Sequence, residues 1–364
     1  MSRCEDMIAA LERKAPPKEV PIWELEFHAW DAASGRHVVL GDEMARLTPA
    51  GQEKAMHVNA EIIVSVCRDL GFSAVTAPGR YWYVSPGELA YYVLSGDLRF
   101  RQFELLKAEA GNDIMLVAGS GGVLSADYSE EFCEALFFDP EKVEAGADNQ
   151  LAYGIECAKR FRDLGAGAVF TASDIADNSG LFFSPDQMDR FILPYVRRWA
   201  EAVHGMGLYA IMHSDGKLTA CLDVLADTGL DALQAIDATA GMDMEATRRI
   251  VGSRLCLCGN VDCGLLLRGE PEAIYEATAA LLRSQKASGA FVLGASNAVQ
   301  QEVPMQNYRA MVAAWKDQGS QCQTHNRLRL PTLNLQGRQK GKGPADDIPT
   351  ATLREESGPD AEEQ

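Results

Sequence analysis

The sequence predicts a single (β/α)8 barrel, and three observations predict it. Short apolar runs alternate with helix-period segments, and eight such runs can be counted before residue 318. Apolar residues make up 47% of the 364-residue chain, enough for a sizeable core. The glycine fingerprint that opens a doubly wound dinucleotide fold, the runner-up architecture, is missing after the first run.

Taken in order, residues 3–14 read as a short helix with Ile8 and Leu11 on its apolar face. Residues 20–26 form the first strand, with Glu24 and Glu26 on one face if the chain is extended. An irregular acidic loop carrying His28, Trp30, Asp31 and His37 follows, up to Pro49. Met56, Ala60, Ile63 and Cys67 recur at spacings of three and four and make 52–70 a helix. The second strand, 72–77, runs into an aromatic loop with Arg80, Tyr81 and Trp82, and helical material covers 86–110. The third strand, 114–118, feeds a glycine-rich turn at 119–122, where backbone N–H groups could meet an anion or simply turn the chain. After a helix at 140–164, the fourth strand, 167–171, leads to Asp174 and Asp177. Ser184 suits an N-cap and Pro185 a first helical position, so a long helix starts there and runs to about 206.

The fifth strand starts at Leu208 and ends on His213 and Asp215, with Gly216 allowing the turn. Helix 217–228, strand 232–236, helix 242–250, strand 255–258, helix 271–287, strand 290–293 and helix 304–317 complete the alternation. The barrel domain is therefore 1–317. Residues 318–364 lack apolar periodicity, are basic first and acidic at the end, and read as a disordered tail.

The net charge of −18 argues against nucleic-acid binding. The longest apolar runs are of strand length, short of the ~20 residues that span a bilayer, and residues 1–6 begin no secretory signal. Nine cysteines without a framework spacing suit free thiols in a reducing compartment, so the expected location is cytoplasmic.

In a barrel the strand ends at one face carry function. There the sequence puts His213 and Asp215, the sharpest pair, as metal ligands or a proton-transfer site, the alternative being a structural histidine bonded to backbone. Asp174 and Asp177 suit either substrate contacts or turn formation ahead of Ser184. Glu24 is a third candidate metal ligand with His213 and Asp215. Gln234, Asn260 and Asn297 are amides at strand ends, and Tyr81 and Trp82 an aromatic rim; all five are candidate substrate contacts. Asp237, Asp262 and Ser296 share the same register. Cys256 and Cys258 alternate with leucines and read as small buried hydrophobes, and their spacing to Cys263 is no zinc-ribbon pattern.

Several segments in order resemble the uroporphyrinogen decarboxylase superfamily: Asp174 to Pro194, His213-Ser214-Asp215-Gly216, Gly259 to Asp262 with Gly269 to Ile274, and Leu293-Gly294 with Pro304 to Tyr308. The resemblance covers about 1–317 and implies a (β/α)8 barrel. It also implies one of two activities, tetrapyrrole decarboxylation in the heme pathway or methyl transfer in a cobalamin-linked branch. The decarboxylase branch carries an arginine-bearing segment after the first strand; the matching region here, Trp23 to Trp30, has no arginine and two glutamates. The methyltransferase branch resembles this chain in its histidine, His213, but binds zinc with two cysteines as well. Here Asp215 and the Ala295-Ser296-Asn297 segment stand near those places.

The resemblance thus implies a methyltransferase that moves a methyl group between a small methylated (methoxylated) donor and a corrinoid. No built-in corrinoid domain is apparent, so the corrinoid is expected on a separate partner protein. His213, Asp215 and Asp174 would be catalytic, with a divalent metal such as zinc at His213, Asp215 and Glu24. The alternatives are a tetrapyrrole decarboxylase and a non-catalytic barrel that binds a small ligand.

Overall fold

Seven parallel strands run in sequence order across one curled sheet: Ala74–Thr76, Met115–Gly119, Ala168–Ala172, Tyr209–His213, Ala232–Gln234, Cys256–Val261 and Phe291–Ala295. The computed structural model describes residues 2–14, 17–78, 83–85, 88–89, 94 and 96–320. The 318–364 tail lies outside the described residues from 321 onward, and so do Arg80, Tyr81 and Trp82.

Parity along the strands explains why this sequence buries both faces of the sheet. Ala74, Met115, Val117, Ala168, Phe170, Ile211, Ala232, Cys256, Cys258 and Val292 pack together as one apolar layer. Their neighbours Val75, Leu116, Val169, Met212, Leu233, Leu257 and Leu293 belong to the layer beneath the helices. Successive side chains of a strand point to opposite faces, so an unbroken apolar run is what a doubly covered parallel strand requires. Cys256 and Cys258 are buried in the inner layer, as their alternation with leucines predicts.

The first of the eight expected strands differs. Residues 21–23 run between the two edge strands but make only isolated bonds: Trp23 N–H to the Leu293 carbonyl (3.0 Å), Leu293 N–H to that of Pro21 (2.9 Å) and Ser73 N–H to that of Ile22 (2.8 Å). Pro21 has no N–H for a longer ladder. Trp23 and Leu25 still join the inner layer, and the Trp23 ring lies 6.5 Å from that of Phe170.

Helices cover the outside, and most carry their own start signals. Ser184 accepts from Gln187 N–H while the Gln187 side chain accepts from Ser184 N–H, a reciprocal cap with Pro185 behind it. The helix that follows contains a π-turn at Met188–Ile192, two residues before Pro194, which cannot donate an i−4 bond. Three expectations shift. The helix expected over 86–110 is Leu98–Ala110, preceded by Gly96 at φ 57 and by a short antiparallel pair, Tyr83–Ser85 with Glu88–Leu89. The one expected over 217–228 contracts to Leu222–Ala226, because residues 218–221 close a turn instead. The irregular loop after residue 26 holds two short helices, Trp30–Ser34 and Gly41–Ala45.

Candidate functional site

A cavity of about 980 Å³ opens at the C-terminal ends of the strands, where Thr76, Gly119, Ala172 and His213 line it. This is the face on which parallel strands place their functional groups. His213 has the parity of Ile211 and so points inward, at 5% exposure. The turn after it brings Asp215 to the same rim. That turn needs Gly216: at φ 86, a Cβ there would lie 2.6 Å from the Ala176 carbonyl carbon.

Three of the expected site residues meet. His213 Nε2 stands 3.7 Å from Asp174 Oδ1 and 3.7 Å from Asp215 Oδ2. One donor atom from each of Asp174, His213 and Asp215 falls within 4.8 Å of the others. Three loops are fastened together, since Asp215 N–H donates to Asp174 Oδ1 at 2.9 Å and Gly216 N–H to Asp237 Oδ2 at 3.2 Å. Asn297 Nδ2 donates to Asp215 Oδ2 at 2.5 Å, while its own Oδ1 accepts from Ala298 N–H, which fixes the amide's orientation. The other Asp215 oxygen, Oδ1, is buried and makes no hydrogen bond to the described residues. Burial pushes the Asp215 carboxyl up to about 6; Asp174 and Asp237 add to the rise against the pull of His213 and Asn297.

The other expected residues have different places. Gln234 is 2% exposed and accepts from the His213 ring, with Oε1 to Nδ1 at 2.5 Å; it is not on the cavity wall. Asn260 donates to the Ile236 carbonyl at 2.7 Å. Asp177 accepts from the N–H groups of Ser179 and Gly180, closing a turn. Glu24 is not brought to His213 and Asp215: its oxygens accept from Tyr308 O–H (2.7 Å) and Ala295 N–H (2.8 Å), and burial pushes its carboxyl up to about 8. Glu24 and Glu26 do not share a surface, since Glu26 lines the cavity and Glu24 does not. The chain leaves strand geometry between them, so alternation no longer predicts the face.

Two further parts of the wall are the pair Glu26 and His28, of which the sequence marks Glu26 on the first expected strand, and Cys263, which it weighs with Cys256 and Cys258. Glu26 Oε2 lies 3.6 Å from His28 Nε2, and burial drives both toward neutrality, the carboxyl to about 9 and the imidazole to about 3. Cys263 also lines the cavity, with its sulfur accepting from Asn297 N–H at 3.2 Å; burial raises its thiol to about 11, so it stays protonated. Its position two residues after the strand Cys256–Val261 is the available signal.

The cluster of one imidazole nitrogen and two carboxylate oxygens is a donor set for a divalent cation, harder than a thiolate set. The orphaned Asp215 Oδ1 fits that use, because this buried carboxylate oxygen has no hydrogen bond to the described residues. Without a cation the same atoms form an acid–base group, with a carboxyl that titrates near pH 6 beside an imidazole.

Comparison with known proteins bears on the family. Residues 104–318 match the family described as Uroporphyrinogen decarboxylase (URO-D). The chain is similar to a uroporphyrinogen decarboxylase of Chlorobium luteolum, 29% identical over 163 residues that cover 43% of this chain and 44% of that one. It is also similar to the methylcobamide:CoM methyltransferase MtaA of Methanosarcina barkeri, 23% identical over 215 residues, 58% of this chain and 60% of that one. The matched stretches thus span about half the length of these curated relatives. Among solved structures, a methyltransferase from Methanosarcina mazei superposes with a TM-score of 0.67 at 18% identity, covering 87% of this chain and 99% of that one, which shows a shared fold.

Proposed function

The chain belongs to the uroporphyrinogen decarboxylase family, and on that premise we propose that it is a methyltransferase moving a methyl group between a small methylated donor, such as a methoxylated compound, and a corrinoid carried on a separate protein. The observation that carries this reading is the Asp174–His213–Asp215 cluster inside a cavity of about 980 Å³. The wall is acidic: Asp174, Asp215 and Asp237 line it beside a Glu26 that burial keeps neutral, and Arg99 is the only Arg or Lys among the described lining residues. Such a wall repels a substrate that bears many carboxylates. We read residues 21–23 as the eighth stave of the barrel, and we place the protein in the cytoplasm, where its thiols remain free.

In this reading Asp174, His213 and Asp215 hold a divalent ion such as zinc. Bound there, the ion supplies Lewis-acid polarisation of the oxygen from which the methyl group departs. The three ligands would set the position of that oxygen, which would keep the electron pair of the broken C–O bond, while the methyl group would pass to the electron pair of a cob(I)-level corrinoid on the carrier. The oxygen left behind would gain its proton from water, because Asp215 as a ligand is in its carboxylate form. Asn297 keeps the Asp215 carboxyl in place.

Incubation with a panel of methyl ethers, methanol and methylamines and a cob(I)alamin source is expected to form methylcobalamin, followed by absorbance. An unchanged spectrum across that panel would end this reading. The second reading is a tetrapyrrole decarboxylase, favoured by the name of the Chlorobium luteolum relative; carbon dioxide release from uroporphyrinogen would support it.

A further inference from the structure

His213 and Gln234 stand side by side on adjacent parallel strands, in register with each other. Both point to the inner face, and both are buried. Gln234 Nε2 donates to the Ala295 carbonyl at 3.4 Å. A carbonyl can only accept, so the amide nitrogen must face Ala295 and Oε1 must face His213. Oε1 can only accept as well, and it lies 2.5 Å from His213 Nδ1. The imidazole therefore carries its hydrogen on Nδ1.

The consequence lies at the other nitrogen. In neutral His213, Nε2 holds a bare lone pair, aimed between Asp174 Oδ1 and Asp215 Oδ2 at 3.7 Å from each. Left to itself the imidazole would take the opposite tautomer, because two carboxylates attract a hydrogen on Nε2. The shorter bond to Gln234 wins that contest. We infer that Gln234 is a positioning residue: it selects the Nδ1–H tautomer of His213, so that Nε2, Asp174 and Asp215 present three lone pairs to one point and accept a cation there. Gln234 does not touch the substrate; it acts through the ring it holds. The inference rests on His213 being the working group of the site but not on which reaction the site performs.

The test reads the tautomer directly. Protein labelled with nitrogen-15 histidine is studied by long-range proton–nitrogen correlation at about pH 8, above the usual imidazole range. The His213 signals are identified by their loss in His213→Ala. Wild type is expected to show a protonated Nδ1 and a pyridine-like Nε2. Gln234→Leu is expected to move the hydrogen to Nε2, and Gln234→Glu, which keeps an acceptor oxygen, to restore it to Nδ1. Titration with zinc ion alone should show affinity about 10- to 100-fold weaker in Gln234→Leu than in wild type, the usual effect of removing a ligand's orienting partner. A wild-type spectrum with the hydrogen on Nε2 overturns the inference whether or not the variants fold. So does a folded Gln234→Leu with wild-type tautomer and zinc affinity. Because neither readout uses a methyl donor, absence of methyl transfer would leave this result standing, and the two failures can be told apart.

Discussion

At the scale of single residues, the site is a contest between charge and burial. Asp215 titrates near pH 6 because burial disfavours its carboxylate. The carboxylate is the ligand form, so zinc affinity should fall as pH drops through about 6; isothermal titration across that range checks it, and Asp215→Asn should weaken binding above that range. His213→Ala should lower kcat/KM by about 10²–10⁴-fold and remove bound metal, read by elemental analysis of the purified protein. Glu24 is a different kind of carboxyl. Burial raises it from 4.5 to about 8, and its bonds to Ala295 and Tyr308 offset this only in part. Between those values the folded state binds more protons than the unfolded one, so this contribution to stability is complete below about pH 4.5 and lost as pH rises toward 8. The melting temperature should decline over that window, and Glu24→Gln should flatten the decline, since an amide can bond both partners at any pH. An unaltered slope in the variant would refute the assignment.

At the scale of elements, the chain's connections are tight where they shape the site. The turn after His213 tolerates only glycine: Gly216→Ala would meet the Ala176 carbonyl and strain a φ of 86. A loss of roughly 1–3 kcal/mol or more is expected in urea melts, with weaker zinc binding because Asp215 is displaced. How much of this was legible in the sequence depends on what each signal measures. The seven regular strands were readable because a doubly covered strand must be apolar throughout, and runs such as those before His213 and Asn260 are hard to confuse with loops. The Ser184 cap was readable because its chemistry is local. Residues 20–26 read as a regular strand but form only isolated bonds, because the partners, Ser73 and Leu293, are remote and Pro21 interrupts the ladder. The face of Glu24 and the role of Gln234 were illegible for a related reason. An amide at a strand end reads as a ligand contact until its neighbour strand shows a histidine in register. Asp174, His213 and Asp215 could be proposed from strand-end positions, but their convergence depends on the loop bonds between them.

At the scale of the whole molecule, an acidic chain with a net charge of −18 surrounds a cavity far larger than a methyl group. A space of about 980 Å³ lies at the upper end of small-molecule sites. In the proposed reaction it must admit both the donor and the reactive face of a carrier-bound cofactor. If the carrier approaches through attraction to this acidic surface, raising ionic strength should slow association, with the effect growing as the Debye length shortens toward ~8 Å near physiological salt. The dependence of kcat/KM for the carrier on salt checks this; a flat response would place recognition in apolar contacts instead. Removal of metal with a chelator should abolish turnover and zinc should restore it, whereas retained activity would favour the acid–base form of the cluster.

The seam at residues 21–23 has a consequence for how the molecule comes into being. Ile22 and Trp23 bond to Ser73 and Leu293, so the last contacts that shape the cavity join parts of the chain about 270 residues apart. Asn297, which holds Asp215, arrives with the same late strand. Nothing made from the first two hundred residues alone can present the finished site. During refolding, helical signal should appear early, and the burial of Trp23 against Phe170 should lag behind it. Fluorescence of a variant keeping Trp23 as its only tryptophan, followed alongside far-ultraviolet dichroism, would time the two events. Binding of zinc ion, followed in the same experiment, should keep pace with the slower one.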